Sequence, residues 1–387
     1  MFNEDRQCNV KDILINFAQM KHLEHFKSLG IIKRRKEDTI NELINYVRDN
    51  NSIYEEFKIW LSKLTMDGYN SYYIFNYKNL DRKSSEEILS TLTVKDITLI
   101  NKENITKTEL IYLDCGMDTN RVCMRFVSPS EKLNKINQNG IQMNQIEKSL
   151  YFTTVYIDFT LEQIIVSLHP ISEVISVNGI EIPGRDYAKV AKGVLNDILS
   201  SIINFQIENC DMWIYDSLVK FADEATSHNN PIVSQKCASF SEKIDIIINN
   251  LLSEAGVKTQ SNIQYMKEEV SILFENVMIE EHGIIECDDE YEVFAQDGDQ
   301  VNSYVKVGTK TSSLKGGRTA AIAKSTRNNS DINLLGVKKK FGERIYRFLI
   351  SVESKNYYVI RTDTSIFVKE EVIYDVIRKV RSYKEIS

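Results

Sequence analysis

The sequence predicts an α+β chain, with an N-terminal helical unit, an antiparallel β-rich domain, a central helical block, and a small C-terminal β-hairpin plus helix. Three observations carry this. From Val10 to Leu64 the apolar residues recur at three and four, which is helical spacing. Between about 72 and 183 they give way to short runs of β-branched and aromatic residues. Within that stretch, Val177-Asn178-Gly179-Ile180 sets an Asn-Gly pair between two alternating runs, a hairpin signal because both turn residues take positive φ.

Taken in order, the elements divide the chain at 1–68, 69–183, 184–276 and 277–387. In the first part Ile13, Leu14, Phe17 and Met20 lead to Leu23 and Phe26, then Ile40, Leu43, Ile44 and Val47, then Phe57, Trp60, Leu61 and Leu64. Gly30 stops the first helix, and Asp38 or Thr39 is expected to cap the second by accepting from its free N–H groups. Strands follow at Tyr72–Tyr77, Leu110–Leu113, Val122–Val127, Tyr151–Phe159, Gln163–Leu168 and Val174–Ile182, with a helix at Ser84–Ser90. Pro183-Gly184 opens the helical block, in which Val190, Val194, Leu195, Ile198 and Leu199 share a stripe and Pro231 marks a helix start. These helices are expected to form a subdomain or an arm that packs on another copy, a homo-oligomer through 184–276. At the end, Arg344–Val352 and Tyr357–Arg361 alternate across a turn, and a helix runs around Glu370–Tyr383.

The charge distribution is uneven. Residues 275–300 hold ten carboxylates and no Lys or Arg, whereas 301–350 carries eleven basic residues against Asp331 and Glu343, a local +9. The whole chain is −7, so everything outside 301–350 sums to −16. A basic strip in an acidic chain has an anionic partner, or folds against its own acids. Residues 305–330 are small, polar and basic, with little apolar mass to offset their ordering entropy, and are expected to be a mobile loop. Lys310, Lys315, Arg318, Lys324 and Arg327 would seek phosphates along it, with Lys338, Lys339 and Lys340 extending the positive surface. Such contacts give affinity without base selectivity and a steep salt dependence.

The amino-terminal helices carry a second basic cluster. Leu23-Glu24-His25-Phe26-Lys27-Ser28-Leu29-Gly30-Ile31, then Lys33-Arg34-Arg35-Lys36, then Ile40 and Ile44, resembles the SAP-type helix–loop–helix of DNA-associated proteins over about 35 residues. The loop here is richer in charge and lacks the family's internal glycine. The resemblance implies DNA as partner, with Lys33, Arg34, Arg35 and Lys36 facing phosphates where the N–H groups of the second helix also favour anions.

Signatures of chemistry are few. The six cysteines are scattered without a C-x-x-C pair, which supports neither a disulfide framework nor a zinc knuckle. No histidine pair has ligand spacing for zinc, and His22 and His25, three apart on one helix, read as exposed. Gly308-Thr309-Lys310-Thr311 fails as a phosphate loop because Thr309 separates the glycine from the lysine. Glu286, Asp288, Asp289 and Asp297 supply carboxylates of the kind a hydrolytic metal site uses, yet no acid-x-lysine completes a nuclease pattern. No window approaches eighteen uninterrupted apolar residues and the start lacks signal-peptide order, which makes the cytoplasm the expected location and a membrane no partner. Heavy use of Asn, Ile and Lys with four prolines points to an AT-rich, bacterial genome. The residues therefore lead to a cofactor-free nucleic-acid-binding accessory protein, DNA favoured, of a bacterial anti-phage or mobile-element system. A metal-dependent nuclease-like hydrolase and a protein–protein scaffold are the alternatives.

Overall fold

The computed structural model describes residues 2–116, 120–138, 141–285, 290–300, 303–309, 313–329, 331–362 and 367–384. The fold is α+β, and its strand pairings within each part are antiparallel. The chain divides into two compact units, Met1–Asn209 with Ser365–Glu371, and Cys210–Thr364 with Val372–Ser387.

The first unit opens with helices α1 (Glu4–Phe17), α2 (Met20–Leu23), α3 (Lys36–Asp49) and α4 (Tyr54–Ser62). The Asn3 side chain caps α1 by accepting from the Arg6 N–H. A tight turn of helix over Glu24–Leu29 ends at Gly30, whose φ of 71° is the left-handed conformation a C-terminal glycine supplies. Val10, Ile13 and Leu14 meet Leu43, Val47, Phe57 and Leu61 in a core that continues into Ile111, Val127, Leu150 and Phe152 of the sheet. Phe17 packs edge-on against Phe152 with centroids 4.8 Å apart.

The sheet of this unit is built from β1 (Ser71–Lys78), β2 (Glu109–Asp114), β3 (Arg121–Gln138), β4 (Ile141–Asp158), β5 (Gln163–Leu168), β6 (Val174–Val177), β7 (Ile180–Glu181) and β8 (Gln206–Glu208). Helix α5 (Arg82–Ser90) follows β1, and α6 (Ala188–Gly193), a wide helical turn at Val194–Leu199 and α7 (Ser200–Ile202) precede β8. The strand order is β7-β6-β3-β4-β5-β1, with β2 also on β3 and β8 on β1. Asn178 and Gly179 both take positive φ, 49° and 77°, and close the β6–β7 hairpin.

β3 and β4 run much further than their apolar segments. They pair from Arg121 opposite Asp158 out to Gln138 opposite Ile141. β6 reaches β3 only at Ser130–Lys132, and β5 leaves β4 at Thr153, so the remainder is a two-stranded ribbon. The ribbon exposes Asn134, Lys135, Asn137, Asn144, Gln145 and Ile146.

The second unit contains α8 (Asp211–Ala225), the long pair α9 (Pro231–Glu254) and α10 (Gln260–His282), and a sheet of order β10-β9-β11-β12-β13. Its strands are β9 (Tyr291–Gln300), β10 (Ser303–Gly308), β11 (Asp331–Phe341), β12 (Arg344–Ser354) and β13 (Tyr357–Thr362), with α11 (Gly317–Asn329) between β10 and β11. The last helix, α12 (Glu370–Ser382), buries Val372, Ile373, Val376, Ile377 and Val380 on one stripe.

Three expectations are corrected here. Among the described residues, the stretch expected to be a mobile loop is largely regular: 303–308 form β10 and 317–329 form α11. Leu314 and Ala323 are buried there, and so is Arg327, paired with Asp223, a contact that composition does not reveal. Thr39 is no cap; α3 starts at Lys36, and the Thr39 hydroxyl pins the turn by accepting from the Lys33 N–H at 2.9 Å. His22 is not exposed, since its ring packs edge-on against Phe367 at 5.0 Å and burial pushes its pKa down to about 4.

Candidate nucleic-acid interface

The basic turn precedes α3. Leu23, Phe26 and Ile31 on one side and Ile40, Leu43 and Ile44 on the other are buried, which holds the intervening residues at the surface. Lys33, Arg34 and Arg35 are exposed. Lys33 lies 3.4 Å from Glu42, with both side chains about half open to solvent, so the pair is weak. Arg34 and Arg35 have no ion-pair partner among the described residues. Lys36 points back instead, its Nζ donating to the Ile15 carbonyl at 2.6 Å, and burial lowers its pKa. Glu37 and Asp38 occupy the first turn of α3, where carboxylates suit the helix dipole and temper the local positive charge.

The carboxy-terminal bases are placed differently, and the acidic stretch of sequence supplies many of their partners. Lys324 Nζ is 2.5 Å from Glu275 Oε2. Lys338 Nζ is 3.2 Å from Glu292 Oε2. Lys339 is fully buried, donates to Glu290 and to the Tyr291 hydroxyl, and sits 3.2 Å from Asp375. Burial pulls the Lys339 pKa down, but these acceptors outweigh it and the net direction is up. Arg327 is sealed by Asp223, Gln296 and Thr226 at 2.9, 2.9 and 3.1 Å. Burial lowers its pKa, opposed by Asp223. Lys306, on β10, pairs with Asp297 at 3.7 Å. Arg318 and Lys340 are exposed and Lys315 is half-buried. Lys310 lies outside the described residues, as do Glu286, Asp288 and Asp289.

A cavity of about 320 Å³ within the second unit escaped the sequence reading. The His228 Nδ1 accepts the Asn230 N–H at 2.9 Å, which puts the proton of the neutral ring on Nε2, 3.7 Å from Glu275. Glu275 thus stands between His228 and Lys324, and Asp223 with Arg327 completes a charge-balanced lining. No local motif marks the grouping: its three segments, around 223–228, 275 and 324–327, are separated by tens of residues. Among the described residues no cluster of three or more His, Cys, Asp or Glu is disposed to hold a metal ion. Among the described residues no helix is long and apolar enough to cross a membrane.

The fold and these surfaces define an α+β protein with an exposed basic turn and a largely self-neutralised basic strand-and-helix region. Compared with known families, curated proteins and solved structures, the chain gives no match in any of the three.

Proposed function

We propose that this chain is a nucleic-acid-binding accessory protein that contacts phosphates through the turn before α3. The carrying observation is the pair Arg34 and Arg35, exposed and without ion-pair partners among the described residues, at the start of a fourteen-residue helix. Guanidinium groups match phosphate in planar, two-pronged hydrogen bonds, and the free N–H groups at a helix start favour the same anion. The amide-rich ribbon of the same unit adds to the reading, because a two-stranded ribbon fits the DNA major groove and Asn and Gln pair with adenine edges. Arg318 and Lys340 are further exposed bases, whereas Arg327 and Lys339 are buried in the second unit and Lys324 and Lys338 are paired with Glu275 and Glu292. In the expected setting, a bacterial anti-phage or mobile-element system with DNA favoured, the protein holds nucleic acid for a partner to act on.

The test is fluorescence anisotropy of labelled double-stranded DNA, single-stranded DNA and RNA against the full chain at low salt. Binding that weakens as salt is raised supports the reading, and no binding of any of the three overturns it.

A further inference from the structure

The α9–α10 pair is the least covered part of the second unit. α9 buries only Val233 and Ile248, and α10 only Ile272 and Asn276. Ile247 is 61% exposed and Leu273 60%, values unusual for large aliphatic side chains at the middle of long helices.

The exposed and half-buried apolar residues follow a pattern. On α9, Cys237, Phe240, Ile244, Ile247 and Leu251 are spaced three, four, three, four, the seam of a heptad repeat. On α10, Ile263, Met266, Val270, Leu273 and Val277 repeat the same alternation. Two contacts set the register between the antiparallel helices: Phe240 and Phe274 rings are 5.7 Å apart, and Lys267 Nζ lies 3.5 Å from Asp245. That register sets Phe240 level with Leu273, Ile247 with Met266 and Leu251 with Ile263. The two seams therefore form five matched layers. In a closed two-helix coil, seam side chains bury one another; here they remain half open. The arrangement is half of a four-helix bundle.

We infer that the missing half is a second copy of this chain. A two-fold axis parallel to the helices lays α9 of one copy over α10 of the other with every layer preserved, so the surface is complementary to itself. Helical spacing also sets Lys236 and Lys243 along the outer edge of the α9 seam and Glu280 at the next seam position of α10, whereas Glu269 is turned to α11, where it accepts from the Ser325 hydroxyl. The same rotation brings this basic edge toward Glu280 of the other copy. The ten seam side chains, six of them exposed, amount to roughly 800 Å² per copy, about what a stable dimer uses per partner. This inference does not depend on nucleic-acid binding.

The experiment is light scattering on the full chain at tens of micromolar, beside Ile247→Glu/Leu273→Glu and the conservative Ile247→Val/Leu273→Met. Because these side chains are mostly exposed in one copy, all three proteins should share one circular-dichroism spectrum. The expected result is twice the 44.7 kDa chain mass for the native and conservative proteins and the single mass for the glutamate pair. A native protein at single mass would assign the face to a different partner and overturn the inference, as would a glutamate variant that keeps the double mass.

Discussion

Arg327 Nε lies 2.9 Å from Asp223 Oδ1 in a pocket that leaves the arginine side chain 2% exposed and the aspartate 50%. The pair is asymmetric: the cation is committed and the anion is not. Arg327→Leu strands the buried Gln296 acceptor, and the expected loss is about 2–4 kcal/mol in urea unfolding. Arg327→Lys recovers little of it, since one ammonium does not span Asp223, Gln296 and Thr226 together. Binding of nucleic acid per folded molecule is expected to stay the same.

Arg125 presents the opposite case. It is fully buried, donates to the Thr65 hydroxyl at 2.6 Å and lies over the Phe152 ring at 5.1 Å, while its Nε and one terminal nitrogen find no hydrogen-bond partner among the described residues. Burial lowers its pKa to about 10, a cost of about 3 kcal/mol for keeping it charged at neutral pH. Arg125→Met removes that cost and keeps most of the volume, so its unfolding midpoint should equal or exceed that of the native protein. A fall of more than about 2 kcal/mol would show that the guanidinium is stabilising where it sits.

His22 makes stability depend on pH. Burial holds the folded ring neutral down to about pH 4, whereas the unfolded ring protonates near 6.5. Below 6.5 the unfolded state binds the proton first, so stability falls as pH drops and levels off near 4, with a total of roughly 3 kcal/mol. His169, also lowered chiefly by burial, adds to the same window. Thermal melts at pH 7 and pH 4.5 on the native protein and His22→Gln check this; the variant should lose less on acidification.

The salt dependence of binding separates a small contact from a large one. Lys33, Arg34 and Arg35 are three exposed cations, which set a slope of log affinity against log salt of roughly −3. A slope near −10 would require the carboxy-terminal bases as well, against their pairing with Asp223, Glu275, Glu290 and Glu292.

Local conformational chemistry was legible in the sequence, and partner choice was not. Asn178-Gly179 and Gly30 announce themselves because the backbone needs positive φ there and few residues supply it. The α12 stripe is plain because its apolar residues repeat at helical spacing. The ribbon ends of β3 and β4 were missed because Asn, Gln and Lys carry little strand propensity and each strand is held by the other. β9 was missed for a related reason: its carboxylates resemble solvated surface, yet Gln296 and Asp297 are buried by the strands beside them. At the candidate site, the turn at 33–36 could be found from its charge. The burial of Arg327 could not, because Asp223 is 104 positions away.

The most direct test of the account is charge reversal at the turn, Arg34→Glu/Arg35→Glu, with DNA affinity measured by anisotropy at one low salt concentration. Neither side chain holds the core, so the variant should fold normally. The account predicts a loss of at least about tenfold, a little over 1.4 kcal/mol. Unchanged affinity in the folded variant would contradict it and remove the turn from the binding surface.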